Sequence, residues 1–177
     1  VRNESDRPRR LSATGYVEWV LGDLRPKSTM HVITEIDPMC GALFARNPYN
    51  TEFRDRTAFF DVDDTTRTLS GDRAEFLGRN GSMHRPAAMM RTRLSGHVGA
   101  AFDPCAAIQV GFDLAAGQER EIVFRLGVGR DAGDARDLVS RFRGSTAARG
   151  ALDAVWQHWR HTLGAVNVET PDSSLNV

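Results

Sequence analysis

Over its first two-thirds the chain alternates apolar and polar positions with a period of two. In ATGYVEWVL (residues 13–21), Val17, Trp19 and Leu21 fall on one side, and Tyr16, Glu18 and Val20 on the other. That is the period of a β-strand. HVITEID, GALFAR and TAFFDVD repeat the signal, separated by PMC and by a polar loop. In AIQVGFDL (residues 107–114), Ile108, Val110, Phe112 and Leu114 share a face, and Ile122, Phe124, Leu126 and Val128 repeat the pattern after AAGQE. Two alternating strands around a short glycine-containing loop predict an antiparallel hairpin.

Beyond GVGRD the period changes to that of a helix. Asp131 is placed to cap a helix with the stripe Ala135, Leu138, Val139 and Phe142, which Gly144 and Ser145 break. A second helix carries Leu152, Val155, Trp156, Trp159 and Leu163 on one face. Tryptophans at helical spacing among apolar residues read as core rather than as a sugar platform. TPDSSLNV opens a further helix. The expected organisation is a mainly antiparallel β domain over residues 1–130 and a helical segment over residues 131–177.

Composition narrows the field without naming a function. The 177 residues are 41% hydrophobic and 26% charged, with zero formal net charge, so no global field draws the chain toward nucleic acid or an anionic membrane. Lys27 is the only lysine, which genomic base composition explains. Cys40 and Cys105 are too few for a disulfide scaffold and read as buried free thiols in a reducing compartment. No apolar run approaches ~20 residues, so no membrane contact is expected. VRNESDRPRR lacks the h-region of a signal peptide, and the missing initiator methionine leads us to expect a piece of a longer polypeptide.

The chemistry-bearing residues do not assemble a catalytic set. His158 and His161, spaced i and i+3, have no third ligand, so no metal is expected. No CxxC, HExxH, GxSxG, Walker or dinucleotide motif occurs, and GVGRDAG reads as a turn. Asp61, Asp63 and Asp64 read as solvated or turn-forming acids, with no second acid from a distant segment to make a hydrolytic pair. Residues 46–56 gather Asn47, Asn50, Glu52 and Arg56 around Tyr49 and Phe53. These residue types bind sugars, planar polar groups bridging hydroxyls while rings stack on C–H faces. A loop held by Arg–Asp pairs fits the same composition. SGDRAEFLGRNGS (residues 70–82) combines Asp72, Arg73, Glu75 and Arg79 with three glycines, the fixed charges and permissive backbone of a ligand site.

Several of these segments agree on one resemblance. GALFARNPYNTEFRDRTAFF, SGDRAEFLGRNGS, LSGHVGAAFDPCAAIQV and VFRLGVG resemble glycoside hydrolase family 94, formerly glycosyltransferase family 36. Cellobiose, chitobiose and β-1,2-oligoglucan phosphorylases and cyclic β-1,2-glucan synthases belong to that family. The resemblance implies a large N-terminal antiparallel β-sandwich (a supersandwich), a helical linker and an (α/α)6 barrel. The barrel would carry the acid that protonates the glycosidic oxygen, and inorganic phosphate would attack with inversion. This chain would then hold the sandwich over residues 1–130 and the linker over residues 131–177, and the barrel would be missing. No cofactor is implied, phosphate or glucose 1-phosphate being substrates of the parent.

The resemblance also implies roles for residues. In homodimeric members a sandwich loop of one subunit approaches the barrel cleft of the other. FLGRNGS matches that loop, so Arg79 and Asn80 would face sugar, with Gly78 and Gly81 allowing tight backbone turns. Asp72 and Arg73 would brace the loop, and Phe76 and Leu77 would anchor it. The implied partners are a β-glucan or oligosaccharide, the barrel and a second copy of the chain, in the cytoplasm or at the cytoplasmic side of the inner membrane. An independent β-glucan-binding module and a purely structural or dimerisation domain are the competing readings.

Overall fold

The structure, a computed structural model, describes residues 1–100, 103–165, 170–172 and 174. Seven strands form two antiparallel sheets. They are β1 (Arg9–Glu18), β2 (Ile33–Ile36), β3 (Leu43–Arg46), β4 (Thr57–Val62), β5 (Thr68–Asp72), β6 (Pro104–Leu114) and β7 (Phe124–Gly129). One sheet has the order β1-β6-β5, the other β2-β3-β4-β7. The helices are α1 (Arg25–Ser28), α2 (Arg73–Leu77), α3 (Ala132–Arg141) and α4 (Ser145–Leu163).

The main core lies between the sheets. Ile108, Val110, Phe112 and Leu114 of β6 face Leu43, Ala45, Phe60 and Val62 across it, with Trp19 and Val32 closing one end. Each sheet is also covered, the three-stranded one in part, on its outer side. Phe44 and Phe59 point away from the main core and pack against Ala135 and Val139 of α3. On the other sheet, Phe76 and Leu77 of α2 pack on Cys105 and Ala107, with Tyr16 stacked on Phe76 at 4.3 Å between centroids. Burial on both faces explains why TAFFDV is buried throughout, where a one-sided strand would alternate.

Gly15 of β1 faces Phe60 and Phe124 of the opposite sheet. A Cβ there would lie 2.6 Å from the Phe60 ring and 2.7 Å from Phe124, so only glycine fits. The capping prediction at residue 131 holds, since the Asp131 side chain accepts from Asp134 N–H at 2.9 Å. Gly144, at φ +95°, separates α3 from α4. Of the helix expected from Thr170, residues 173 and 175–177 lie outside the described residues.

Two expectations are corrected. β6 and β7 are not a hairpin: β6 pairs with β1 and β5, β7 with β4, and residues 115–123 carry the chain from one sheet to the other. Alternation reports which face of a strand is apolar, not which strand it pairs with. The second correction is α4, none of whose residues is buried: Trp156 is 54% and Trp159 51% exposed, with Leu152, Val155 and Leu163 beside them. Helical spacing identifies an apolar face but cannot say what covers it.

The acids at the end of β4 also differ from the expected solvated state. Asp61 is fully buried and meets Arg67, Arg125 and Arg143, while Asp63 pairs with Arg125 and accepts from Gly144 N–H at 3.1 Å. Asp64 pairs with Arg120 and folds back on Thr66. These contacts tie β4 and β7 to the α3–α4 junction and leave the three carboxylates engaged within the fold.

Candidate functional site

β5 ends where Asp72 turns the chain into α2, its side chain accepting from Ala74 N–H at 2.8 Å. This N-cap starts a helix of only five residues, too short to persist without tertiary support. Support comes from three sides. Phe76 and Leu77 enter the apolar cluster beneath the helix. Arg73 donates from Nε to Glu18 Oε1 at 2.7 Å and from Nη1 to Asp103 Oδ2 at 3.2 Å. Arg25 bridges the same two acids, closing a ring of alternating charge. Glu75 accepts from the Ser70 and Ser95 hydroxyls, from Ser95 N–H at 3.0 Å and from Arg91 at 2.9 Å.

The electrostatics follow from these contacts. The hydrogen bond from Arg73, aided by one from Tyr16 at 2.8 Å, holds the Glu18 carboxyl below the usual range. Burial pushes the Tyr16 phenol up, and its bond to Glu18 adds to this. Burial alone would raise Glu75, but the bonds from Ser70 and Ser95 outweigh it and leave the acid below its ordinary value. Burial drives the Cys105 thiol far up, so it is an inert core residue.

On this base stands the loop of residues 78–82. Gly78 closes α2 at φ +88° and donates to Ala74 O at 2.9 Å. Gly81 donates to Gly78 O at 3.1 Å, and a Cβ on it would lie 1.7 Å from the Leu77 carbonyl oxygen. Both glycines are therefore demanded by geometry. Arg79 and Asn80 are exposed, and neither side chain bonds to any described residue. The structure thus gives Asp72 and Arg73 bracing contacts and leaves the tip of the loop open.

The second candidate segment behaves differently. Asn47 is buried, donates to Leu21 O at 2.8 Å and accepts from Tyr49 N–H at 3.1 Å. Asn50 accepts from Glu52 and Phe53 N–H at 2.9 and 2.8 Å. Both asparagines build turns, and the Asn47 bond holds Leu21 at the unusual φ of +42°. Tyr49 is exposed and stacks on His31 at 4.1 Å, while Glu52 and Arg56 lie on the surface. Asn47 and its neighbours belong to the four-stranded sheet and the 78–82 loop to the outer side of the three-stranded one. No hydrogen bond or ion pair joins the two groups among the described residues. Sequence reading did not find Glu18 and Asp103, the partners of α2, or Arg25 that bridges them, because pairing across 30 to 78 positions leaves no local signal.

Among the described residues, no group of three or more His, Cys, Asp or Glu side chains is placed to hold a metal, and no helix is long and apolar enough to cross a membrane.

The family model for the glycosyl hydrolase 94 supersandwich domain matches residues 1–145. The chain is 35% identical over 177 residues to the cyclic beta-(1,2)-glucan synthase NdvB of Rhizobium meliloti, covering 99% of the chain and 6% of that protein. It is 28% identical over 186 residues to the N,N'-diacetylchitobiose phosphorylase of Vibrio furnissii, covering 22% of it. With the cellobionic acid phosphorylase of Neurospora crassa it shares 26% over 187 residues, covering 23%. The chain thus spans less than a quarter of the length of these relatives.

Proposed function

The chain belongs to the glycosyl hydrolase 94 supersandwich family, and on that premise we propose that it is a non-catalytic β-sandwich whose 78–82 loop forms one wall of a sugar-binding cleft. The parent protein is an inverting phosphorylase or a β-1,2-glucan synthase, acting on a β-glucan with phosphate or glucose 1-phosphate as co-substrate in the cytoplasm. An (α/α)6 barrel supplies the catalytic acid, and a second copy of the chain completes a homodimer. The barrel side of the enzyme covers the apolar stripe of α4.

One observation carries this reading. An exposed, unpaired arginine and asparagine stand on a loop that leaves a helix tethered from three sides. Guanidinium and carboxamide groups supply the planar donors and acceptors that bridge vicinal hydroxyls. Binding groups on loops held by a rigid scaffold lose little entropy when ligand arrives.

The test is Arg79→Ala in the full-length protein. Losing a charged hydrogen bond to sugar raises KM for the acceptor about tenfold or more. Unchanged acceptor kinetics would favour a purely structural domain. Release of glucose 1-phosphate from β-1,2-glucan by the 177-residue chain alone would overturn the non-catalytic assignment.

A further inference from the structure

The outer face of the three-stranded sheet is only half roofed. α2 and the turn at residues 87–90 cover the end bearing Cys105, Ala107 and Tyr16. Past Arg91 the roof stops, and a cleft of ≈ 450 Å³ opens over β1, β5 and β6, with Gln109 and Gly111 lining it and Arg10, Arg93 and Asp113 beside them. Nothing stands within 4 Å of where a Cβ on Gly111 would lie, so the cleft stays open there.

Its polar groups are unpaired in an unusual way. Gln109 is 3% exposed, and its Nε2 donates to Arg91 O at 3.4 Å, which fixes the amide orientation. Its Oε1 then has no hydrogen-bond partner, nor does Oγ1 of Thr14, its register neighbour on β1. A buried acceptor without a donor is costly, and native folds rarely leave one unless something else supplies the bond. Arg10 and Asp113 oppose each other in the β1–β6 register, yet they form no salt bridge. Arg93 likewise pairs with no described residue.

We infer that this cleft is a second carbohydrate-binding site, taking a segment of an uncharged oligosaccharide on the same face as the 78–82 loop. The chemistry selects the ligand class. Arg10 and Arg93 offer donors, whereas Gln109 Oε1 and Asp113 require them. A phosphate dianion carries at most one proton, too few for Gln109 and Asp113 together, and is repelled by Asp113. A sugar hydroxyl donates and accepts at once and satisfies both sets. The choice of a glucan as ligand rests on the proposed function above, but the cleft itself does not depend on the loop.

The test reads the site locally. Hydrogen exchange of residues 91–96 is followed in the full-length protein as linear β-1,2-gluco-oligosaccharide is added. Saturable protection is expected, with the midpoint shifted about tenfold to higher concentration in Arg93→Ala and in Asp113→Asn. Arg79→Ala should leave that midpoint unchanged. If Arg79→Ala also leaves turnover untouched while Arg93→Ala still shifts the midpoint, the loop assignment fails and the cleft stands. Absence of saturable protection, or a wild-type midpoint in both cleft variants, overturns the inference. Displacement of the sugar by submillimolar inorganic phosphate also overturns it and marks an anion site.

Discussion

Replacing Gly81 by alanine places a methyl group 1.7 Å from the Leu77 carbonyl oxygen, against an ordinary contact of ~3.5 Å. Leu77 is anchored in the core, so the loop must give way by roughly 1.5–2 Å, the shortfall from that contact. The movement breaks the Gly81 N–H to Gly78 O bond, worth about 0.5–1.5 kcal/mol. Alanine also restricts the unfolded chain, returning about 0.4–1 kcal/mol. Net stability therefore changes little, and Tm should fall by no more than about 4 °C for a chain of this size. The position of Arg79 and Asn80, in contrast, is lost. Thermal unfolding of the 177-residue chain and acceptor kinetics of the full-length protein separate the two effects: Tm is nearly retained while acceptor KM rises about as much as in Arg79→Ala. Acceptor KM within about twofold of wild type would show that the loop does not meet sugar. A fall in Tm of about 10 °C or more would refute the separation of loop from core.

Other sites give sharper effects on stability. Asp61→Asn removes the buried carboxylate shared by Arg67, Arg125 and Arg143 and should destabilise by about 3–5 kcal/mol in denaturant unfolding. Gly15→Ala forces a methyl group against Phe60 and Phe124 and should cost about 1–3 kcal/mol by the same assay. Gly150→Ala, in α4 with open space around it, should instead stabilise by about 0.5–1 kcal/mol. Glu18 and Glu75 have lowered folded-state pKa values, so their contribution is present above the unfolded carboxylate value of about 4.3 and is lost as pH falls through the folded values. Stability measured from pH 6 down to 3 should drop below about pH 4.3, and Glu75→Gln should flatten that drop.

Most strands and the α3 cap were legible because each is a local pattern: alternation over β1 and β6, and Asp131 three residues before the N–H it caps; β5, read only as part of a charged loop, was not. Two-layer pairing was not, since β6 and β7 alternate alike in sequence whether they join each other or opposite sheets, and on β7 the alternating Leu126 and Val128 are exposed. The 78–82 loop could be read through the family resemblance, and Gly78 and Gly81 have the tight geometry that the resemblance implied for them. Its supports could not. Glu75 is held by Ser70, Ser95 and Arg91, the last two brought close only when residues 91–96 fold over β5. The sugar-like composition of residues 46–56 misled in part, because Asn47 and Asn50 spend their side chains on turns.

The tethering of α2 bears on function more than on stability. Five residues of helix contribute little themselves, and Phe76 with Leu77 would suffice to hold them to the sheet. The ring of Glu18, Arg25, Arg73 and Asp103 adds little by area, because its members are about a third exposed, where ion pairs are worth ~1 kcal/mol or less. What the ring and Glu75 add is direction. Arg73 fixes the start of the helix, Glu75 its middle and Gly78 its end, so the loop leaves at one angle. Arg73→Lys distinguishes the two roles: it keeps the charge but cannot reach Glu18 and Asp103 with a guanidinium fork. In the full-length protein it should leave Tm nearly unchanged and raise acceptor KM, with Arg73→Ala no worse on KM. If Arg73→Lys instead lowers Tm and spares KM, the ring serves stability alone.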